Sequence, residues 1–236
     1  FIYDSYYRKE NETRVAEDLD HLSQKYKTKY FTFSDEAISP NAFNRMSKAI
    51  LKRGVEMRSL GMLKFESGDK ESPELFEDVY KAGFLMLFFG LESANDRILS
   101  IIDKGCDQET ERSVLKNSSD AGIWNHLYLF FGFPTEEREE AEDTIQFTVE
   151  NSETGTGHIH SVGQSIFALE KDSAIYHNPA KFKIDRIIHD PDRDMAIVFD
   201  FDIKAGMPRE EVMDVYEHFN TVIEETFPSR NIWNYL

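Results

Sequence analysis

The chain is poor in cysteine, in positive charge and in long apolar runs, and each shortage excludes a class of function. Its 236 residues contain one cysteine, Cys106. A single thiol forms no internal disulfide and cannot supply a multi-thiolate metal site, so no metal ligands are assigned. Lys and Arg number 27 against 44 Asp and Glu, a formal net charge of −17. Such a surface is not held to nucleic acid by phosphate contacts, nor to an anionic membrane. No apolar run approaches the ~20 residues of a membrane-spanning helix. The sparse cysteine use suits a cytoplasmic location. No secretory signal is visible, but the chain opens on Phe1 rather than Met, so we expect its natural start to lie further upstream. Also missing are a Gly-x-Gly-x-x-Gly turn, a P-loop, zinc spacing and a local Ser-His-Asp pattern.

Aromatic residues are plentiful: 19 Phe and 10 Tyr. They concentrate in two runs with similar endings, Leu85-Met86-Leu87-Phe88-Phe89-Gly90-Leu91-Glu92-Ser93 and Leu127-Tyr128-Leu129-Phe130-Phe131-Gly132-Phe133-Pro134-Thr135-Glu136. Unbroken apolar runs are the pattern of strands buried on both faces of a parallel sheet. Each leaves through a glycine towards a carboxylate, and Ala82-Gly83 and Ala121-Gly122 stand at equivalent places before them. Elsewhere, Asn11 opens a helix with Val15, Leu19, Leu22 and Tyr26 on one face. A short strand, Lys29 to Phe33, ends in Ser34-Asp35-Glu36. Ser39-Pro40 and Ser72-Pro73 start two further helices. Val55 to Phe65 and His158 to Leu169 read as strands. Ser93 and Asp96 resemble a capping pair for a short helix, and Thr135 an N-cap for an acidic one.

Alternating strands and helices imply a parallel sheet, either doubly wound or an incomplete (β/α) barrel. Carboxylates at the ends of three strands (Asp35 and Glu36, Glu92, Glu136) favour the barrel, whose strand ends converge on one mouth. The expected fold is therefore α/β: a partial (β/α)6 TIM-like barrel over residues 1–170, missing its first strand, with a C-terminal α+β extension over 171–236 packed on it. The open sheet edge would invite self-association. Within the extension, Lys171 to Pro191 holds few apolar positions, Met195 to Ile203 alternates as a half-exposed strand, and a last helix follows Gly206-Met207-Pro208.

Several candidates have a structural reading as well as a functional one. Glu92 could meet a ligand or pair with Arg58. Asp35 and Glu36 could merely cap the next helix. Glu136, read into the first turn of a helix, could simply offset the helix dipole. Gly90 and Gly132 could bend the strands or admit a ligand. His158 and His160 read as a satisfied polar pair, His126 as a core or rim histidine, and Cys106 as a small residue in a turn.

Phe89-Gly90-Leu91-Glu92-Ser93-Ala94, with Arg97-Ile98-Leu99 and Lys104-Gly105, resembles the fourth-strand signature of radical S-adenosylmethionine (SAM) enzymes. Ala121-Gly122-Ile123-Trp124 and Phe131-Gly132-Phe133-Pro134-Thr135-Glu136 resemble the fifth-strand segment of that family, and Phe33-Ser34-Asp35-Glu36-Ala37 the end of its second strand. Tyr7-Arg8 is similar to the segment just past the family's cluster loop. The resemblance implies a [4Fe-4S] cluster that cleaves SAM reductively and a radical that abstracts hydrogen from a substrate. It implies SAM contacts from Ser34, Asp35 and Glu36, from Glu92 and Ser93, and from Phe131 and Gly132, with Glu136 shaping the turn. The segment Ser173 to Pro179 is similar to members with an upstream cobalamin-binding domain, which makes cobalamin a candidate cofactor of the full-length protein. The Cys-x3-Cys-x2-Cys loop is absent from this chain. Two readings stay open: the barrel part of a radical SAM enzyme, or a degenerate SAM- or small-ligand-binding scaffold. No catalytic residue and no substrate, whether small molecule or peptide, is assigned.

Overall fold

A computed structural model of the chain describes residues 11–35, 37–66, 72–190 and 195–227. Glu36, Tyr7 and Arg8 lie outside the described residues. The first half repeats one unit, a helix followed by a strand. Helix α1 (Glu12–Tyr26) is capped by Asn11, whose side chain accepts from the Thr13 amide at 2.9 Å. It leads to β1 (Tyr30–Thr32). Helix α2 (Pro40–Arg53) starts at Ser39 with proline in its first turn, where no amide partner is lost, and stops at Gly54 with φ +75°. Strand β2 (Arg58–Met62), α3 (Pro73–Lys81) and β3 (Phe84–Glu92) come next. Two helices, α4 (Asp96–Ile101) and α5 (Gln108–Asp120), precede β4 (Trp124–Phe131); α6 (Arg138–Asn151) precedes β5 (Ser161–Ile166).

The five strands pair in parallel in the order β1-β2-β3-β4-β5. Sequential order decides between the two open architectures: a doubly wound sheet would reverse its order at a switch point, whereas barrel winding never does. Among the described residues the sheet does not close. Alternation along β3 and β4 separates its faces. Leu87, Phe89 and Leu91, with Leu127, Leu129 and Phe131, join one buried core with Phe43, Phe76, Val114, Leu115 and Phe147 of the helices. Phe88, Gly90, His126 and Tyr128 face the other way. Gly83 has φ +104°, and a Cβ there would meet the Met57 carbonyl oxygen at 2.2 Å, so only glycine lets β3 start this close to the β2 entry.

The remaining residues build a three-stranded antiparallel sheet, β6 (Leu169–Glu170), β7 (Ile184–Ile188) and β8 (Val198–Ile203), ordered β6-β8-β7. Strand β7 falls in a stretch read as poor in apolar residues; only Ile184 of it is fully buried, so its pattern is too weak to find by period. The stretches read as strands over Val55 to Phe65, His158 to Leu169 and Met195 to Ile203 shrink to β2, to β5 with β6, and to β8. Helix α7 (Ala174–His177), a 3-10 turn (Pro179–Phe182) and α8 (Arg209–Thr226) complete the chain. Phe167 fastens the two sheets, meeting Phe130, Phe133 and Phe201 at 5.7, 5.1 and 5.8 Å. Helix α8 lays Val215 and Phe219 onto the strands, with the Phe219 ring edge-on to Phe131 at 5.1 Å. Among the described residues no helix is long and apolar enough to cross a membrane.

Phe219→Ala removes a fully buried ring at that junction. It should cost about 3–5 kcal/mol in urea unfolding, and a loss below about 1 kcal/mol would contradict the packing of α8 on β4.

Candidate functional site

At the end of β3 the pairing with β4 slips between Gly90 and Glu92, and Glu92 takes φ +66°. Its side chain folds back over the strand. A Cβ on Gly90 would lie 2.5 Å from Glu92 Oε1 and 3.1 Å from Lys104 Nζ. Gly90 is therefore glycine because a carboxylate and an ammonium group cover it. Lys104, in the loop between α4 and α5, donates to Glu92 Oε1 at 3.1 Å. Arg58 is the pairing partner the sequence offers as the alternative to a ligand; the slip turns Glu92 towards Lys104. The pair is half-buried, with 30% of the Glu92 side chain and 16% of the Lys104 side chain exposed.

Ser93 is fully buried. Its hydroxyl contacts Thr144 Oγ1 of α6 at 3.2 Å and accepts from the Asn95 amide at 3.2 Å. The cap of α4 is Asn95, which accepts from the amides of Arg97 and Ile98, and not Ser93. Beneath Lys104, α5 buries Glu111 completely. Cys106 Sγ donates to Glu111 Oε1 at 3.8 Å, and Glu111 Oε2 has no hydrogen-bond partner among the described residues. Burial pushes this carboxyl well above the usual carboxylate range, against the opposing pull of the Lys104 charge.

The end of β4 is built around a second buried carboxyl. Gly132 has φ +82° and donates its amide to Glu136 Oε2 at 2.6 Å; a Cβ on it would sit 2.6 Å from Val212 of α8. Glu136 is fully buried, and its Oε1 has no hydrogen-bond partner among the described residues. It is not in the first turn of α6. Glu137 is the N-cap, in a reciprocal capping box with Glu140. Thr135, read as the cap, has φ +80°, outside the extended region an N-cap adopts. Its hydroxyl and carbonyl oxygens instead accept from Arg97 at 3.2 and 2.6 Å, and Arg97 also pairs with Glu140. Loop residues before α8 close the back of the turn: the Thr135 amide donates to Ala205 O at 3.2 Å and the Met207 amide to Glu136 O at 2.8 Å. Burial raises the Glu136 carboxyl to about 7, while the Gly132 and Phe133 amides hold it down in part.

Of the other expected site residues, Ser34 and Asp35 are exposed after β1, and the Phe131 ring points into the core against α8, leaving its backbone at the rim. The structure thus puts Ser34, Asp35, Glu92 and Gly132 on one rim, at the carboxyl ends of β1, β3 and β4. Ser93 and Glu136 lie behind that rim as buried supports. A cavity of about 300 Å³ lies next to Gly132, between Phe167, Phe199, Phe201 and Met207. His160 Nδ1 accepts from the Asn125 amide at 3.0 Å, and its ring stacks on Trp124; His158 Nδ1 lies 3.0 Å from Thr156 Oγ1. No group of three His, Cys, Asp or Glu among the described residues is arranged to hold a metal. Lys104 and Glu111 were not found from the sequence as site residues. Nothing marks a lysine after a short helix as the partner of a distant carboxylate, and a Glu on an acidic helix reads as solvated.

A family model described as the Radical SAM superfamily matches residues 2–148, well over half of the chain. The chain belongs to this superfamily. Two curated relatives are an uncharacterized methyltransferase of Pyrococcus horikoshii, 28% identical over 136 residues, and the bacteriochlorophyllide d C-12(1)-methyltransferase of Chlorobaculum tepidum, 27% identical over 124 residues. These alignments cover 57% and 51% of the chain but 29% and 26% of the relatives, so the radical SAM chain spans less than a third of either. Among solved structures, the apo form of the cobalamin-dependent S-adenosylmethionine radical enzyme OxsB matches with TM-score 0.68 over 95% of this chain and 43% of its own, at 12% identity. The radical SAM methyltransferase TsrM of Kitasatospora setae matches with TM-score 0.53 over 69% and 32%, at 14% identity. At such identities the likeness is one of fold.

Glu136 makes stability depend on pH. Its folded value, about 7, lies above the ordinary 4.5, so the folded state holds a proton that the unfolded state has lost between those values. This contribution is fully present below pH 4.5 and disappears as pH rises through 7, an effect on the order of 3 kcal/mol. Glu136→Gln should flatten that fall in denaturant unfolding at pH 5 and pH 8. An unchanged slope would mean that Glu136 is ionised in the fold throughout.

Proposed function

We propose that this chain is the SAM-cradling part of a radical SAM methyltransferase whose cluster ligands lie outside these 236 residues. In the whole protein, a [4Fe-4S] cluster would cleave SAM reductively and a radical would abstract hydrogen from the substrate. The observation that carries this reading is the family match across the strands that bear Asp35, Glu92 and Gly132 on one rim. The methyl-transfer part rests on the names of the two curated relatives.

The chain's own residues do not fit a [4Fe-4S] cluster. Such clusters are held by several thiolates, and the one thiol here is turned onto Glu111. No step through the cluster is derived. The rim does fit SAM chemically. Asp35 and Glu92 are acceptors for an ammonium group or ribose hydroxyls, and Lys104 is a cation able to face a carboxylate. Gly132 brings backbone close to a base, its shape kept by Glu136. Cobalamin remains a candidate cofactor of the whole protein, and none of these residues is assigned to it. The cytoplasm is the compartment this chemistry suits.

A second reading, a SAM-binding barrel without radical chemistry, is favoured by one fact: the chain holds a single cysteine where a cluster needs several. Two measurements separate the possibilities. Titration of SAM into the 236-residue chain should give measurable heat, and Glu92→Gln should weaken binding about tenfold, or 1.4 kcal/mol. Absence of heat and of any thermal shift would sink both readings for this chain. Reconstitution with iron and sulfide should leave the 236-residue chain without stoichiometric cluster, whereas a form extended upstream should bind one. If the extended form carries no Cys-x3-Cys-x2-Cys loop, the radical reading fails and the scaffold reading stands.

A further inference from the structure

The sheet face turned away from the helices carries an aromatic surface with one polar group fixed within it, bounded at Gly90 by the Glu92–Lys104 pair. In register across three strands stand Phe88 and Gly90 of β3, His126 and Tyr128 of β4, and Ser161 and Gly163 of β5. The Phe88 and Tyr128 rings are within 17° of parallel at 5.8 Å. The His126 ring stands across both, at 5.1 Å from Phe88 and 4.7 Å from Tyr128. Gly163 makes this possible: a Cβ there would lie 3.0 Å from the Tyr128 ring and 3.2 Å from His126 Nε2. Tyr128 is nevertheless 42% exposed, a large ring left open on an interior strand.

The His126 tautomer is set by its partners. Trp124 Nε1 donates to Ser161 Oγ at 3.0 Å, and Ser161 Oγ lies 2.8 Å from His126 Nδ1. An indole N–H can only donate, so Ser161 accepts from Trp124; if it also accepted from Nδ1 its own hydrogen would have no acceptor among the described residues, so the arrangement that pairs every group has Ser161 donate to Nδ1. The proton of the neutral ring then sits on Nε2. Burial keeps the ring neutral by lowering its value to about 4. The Nε2–H has no hydrogen-bond partner among the described residues. A satisfied core histidine would use both nitrogens, whereas this one is held in a single tautomer with its donor unused on an aromatic surface. Pockets that recognise ligands have this composition, apolar and aromatic walls with few placed polar groups.

We propose that this face is the substrate-recognition surface, and that it takes a planar aromatic ring bearing a hydrogen-bond acceptor: the ring stacks on Tyr128 and the acceptor meets His126 Nε2–H. Only the word substrate rests on the radical SAM reading; the binding itself does not. The surface continues directly along β3 and β4 to Glu92 and Gly132, which puts such a ring on the same strands as the rim. His126 would be a specificity-determining residue and take no part in bond breaking.

The probes are indole and 7-azaindole, which share shape and neutrality but differ in one ring nitrogen that accepts a hydrogen bond. NMR of the 236-residue chain with 15N-labelled histidine reads both the tautomer and the binding. Expected are an Nε2–H form of His126, a shift of that resonance with 7-azaindole, and about fivefold tighter binding of 7-azaindole than indole, the size of one net hydrogen bond. His126→Phe should bring the ratio to one, and His126→Gln, which keeps a donor, should retain part of it. Tyr128→Leu, at an exposed ring, should weaken both probes about fivefold and stands as the second test should His126→Phe not fold. An Nδ1–H tautomer, no shift of His126 or Tyr128 with either probe, or a preference that survives His126→Phe would overturn the inference. Failure of the probes in a protein whose extended form cleaves SAM would remove this surface alone. Probe binding beside a failed cleavage assay would support the surface and remove the radical reading.

Discussion

One buried hydrogen bond, from the Gly132 amide to the Glu136 carboxyl, holds the rim together. It closes the turn after β4 in a left-handed backbone that only glycine adopts at low cost at position 132. That turn sets where α6 begins. Arg97 of α4 reads the same turn through both oxygens of Thr135, and the loop before α8 bonds to its other side. Four elements therefore converge on one turn, with the carboxyl at its centre. The cost is visible in its second oxygen, which has no partner among the described residues; an unsatisfied buried acceptor is worth about 1–3 kcal/mol. Protonation lowers that cost, which is the physical reason the carboxyl titrates near neutrality.

The two strand-end carboxylates look alike in the sequence and do opposite things. Glu92 stays half in solvent because a register slip at Gly90 turns it outward onto Lys104. Glu136 is drawn inward by an amide and walled off by α8 and its preceding loop. In a half-buried pair desolvation offsets much of the attraction, so on the proposed reading Glu92 and Lys104 are free to exchange each other for a ligand. Glu136 is not. Division of labour between a labile pair and a rigid turn gives the rim both chemistry and shape.

Much of the fold was legible because it rests on local rules. Proline after Ser39 and Ser72, glycine at position 54 and unbroken apolar runs mark boundaries that tertiary contacts leave in place. Carboxylates at three strand ends pointed to a barrel, and sequential strand order agrees. What was illegible depends on contacts distant in sequence. Thr135 carries every local sign of an N-cap, yet Arg97, nearly forty residues away, pulls it into a left-handed conformation. The partner of Glu92 lies beyond a whole helix, and the slip that selects Lys104 over Arg58 has no sequence signature. Strand β7 escaped because its side chains are mostly outside, held by Arg186 to Asp202 pairing and by the β8 backbone and not by burial.

Strand β4, inside the sheet, shows how one run of residues would serve stability and the proposed recognition at once. From Leu127 onward β4 reads as an unbroken apolar run, so it looks buried on both faces. Its odd positions, Leu127, Leu129 and Phe131, are indeed fully packed against helices. Its even positions are aromatic or heteroaromatic, and they are not equally covered: His126 retains a donor and Tyr128 an open ring. Hydrophobic period cannot separate these faces, because both are apolar by composition. Geometry separates them through the neighbours, since glycine stands opposite Tyr128 on both sides, Gly90 on β3 and Gly163 on β5. A core position would be flanked by side chains that fill it. Gly163, which clears space beside a large ring next to a histidine with an unused donor, is what such a strand needs if that ring is to meet something other than the protein itself.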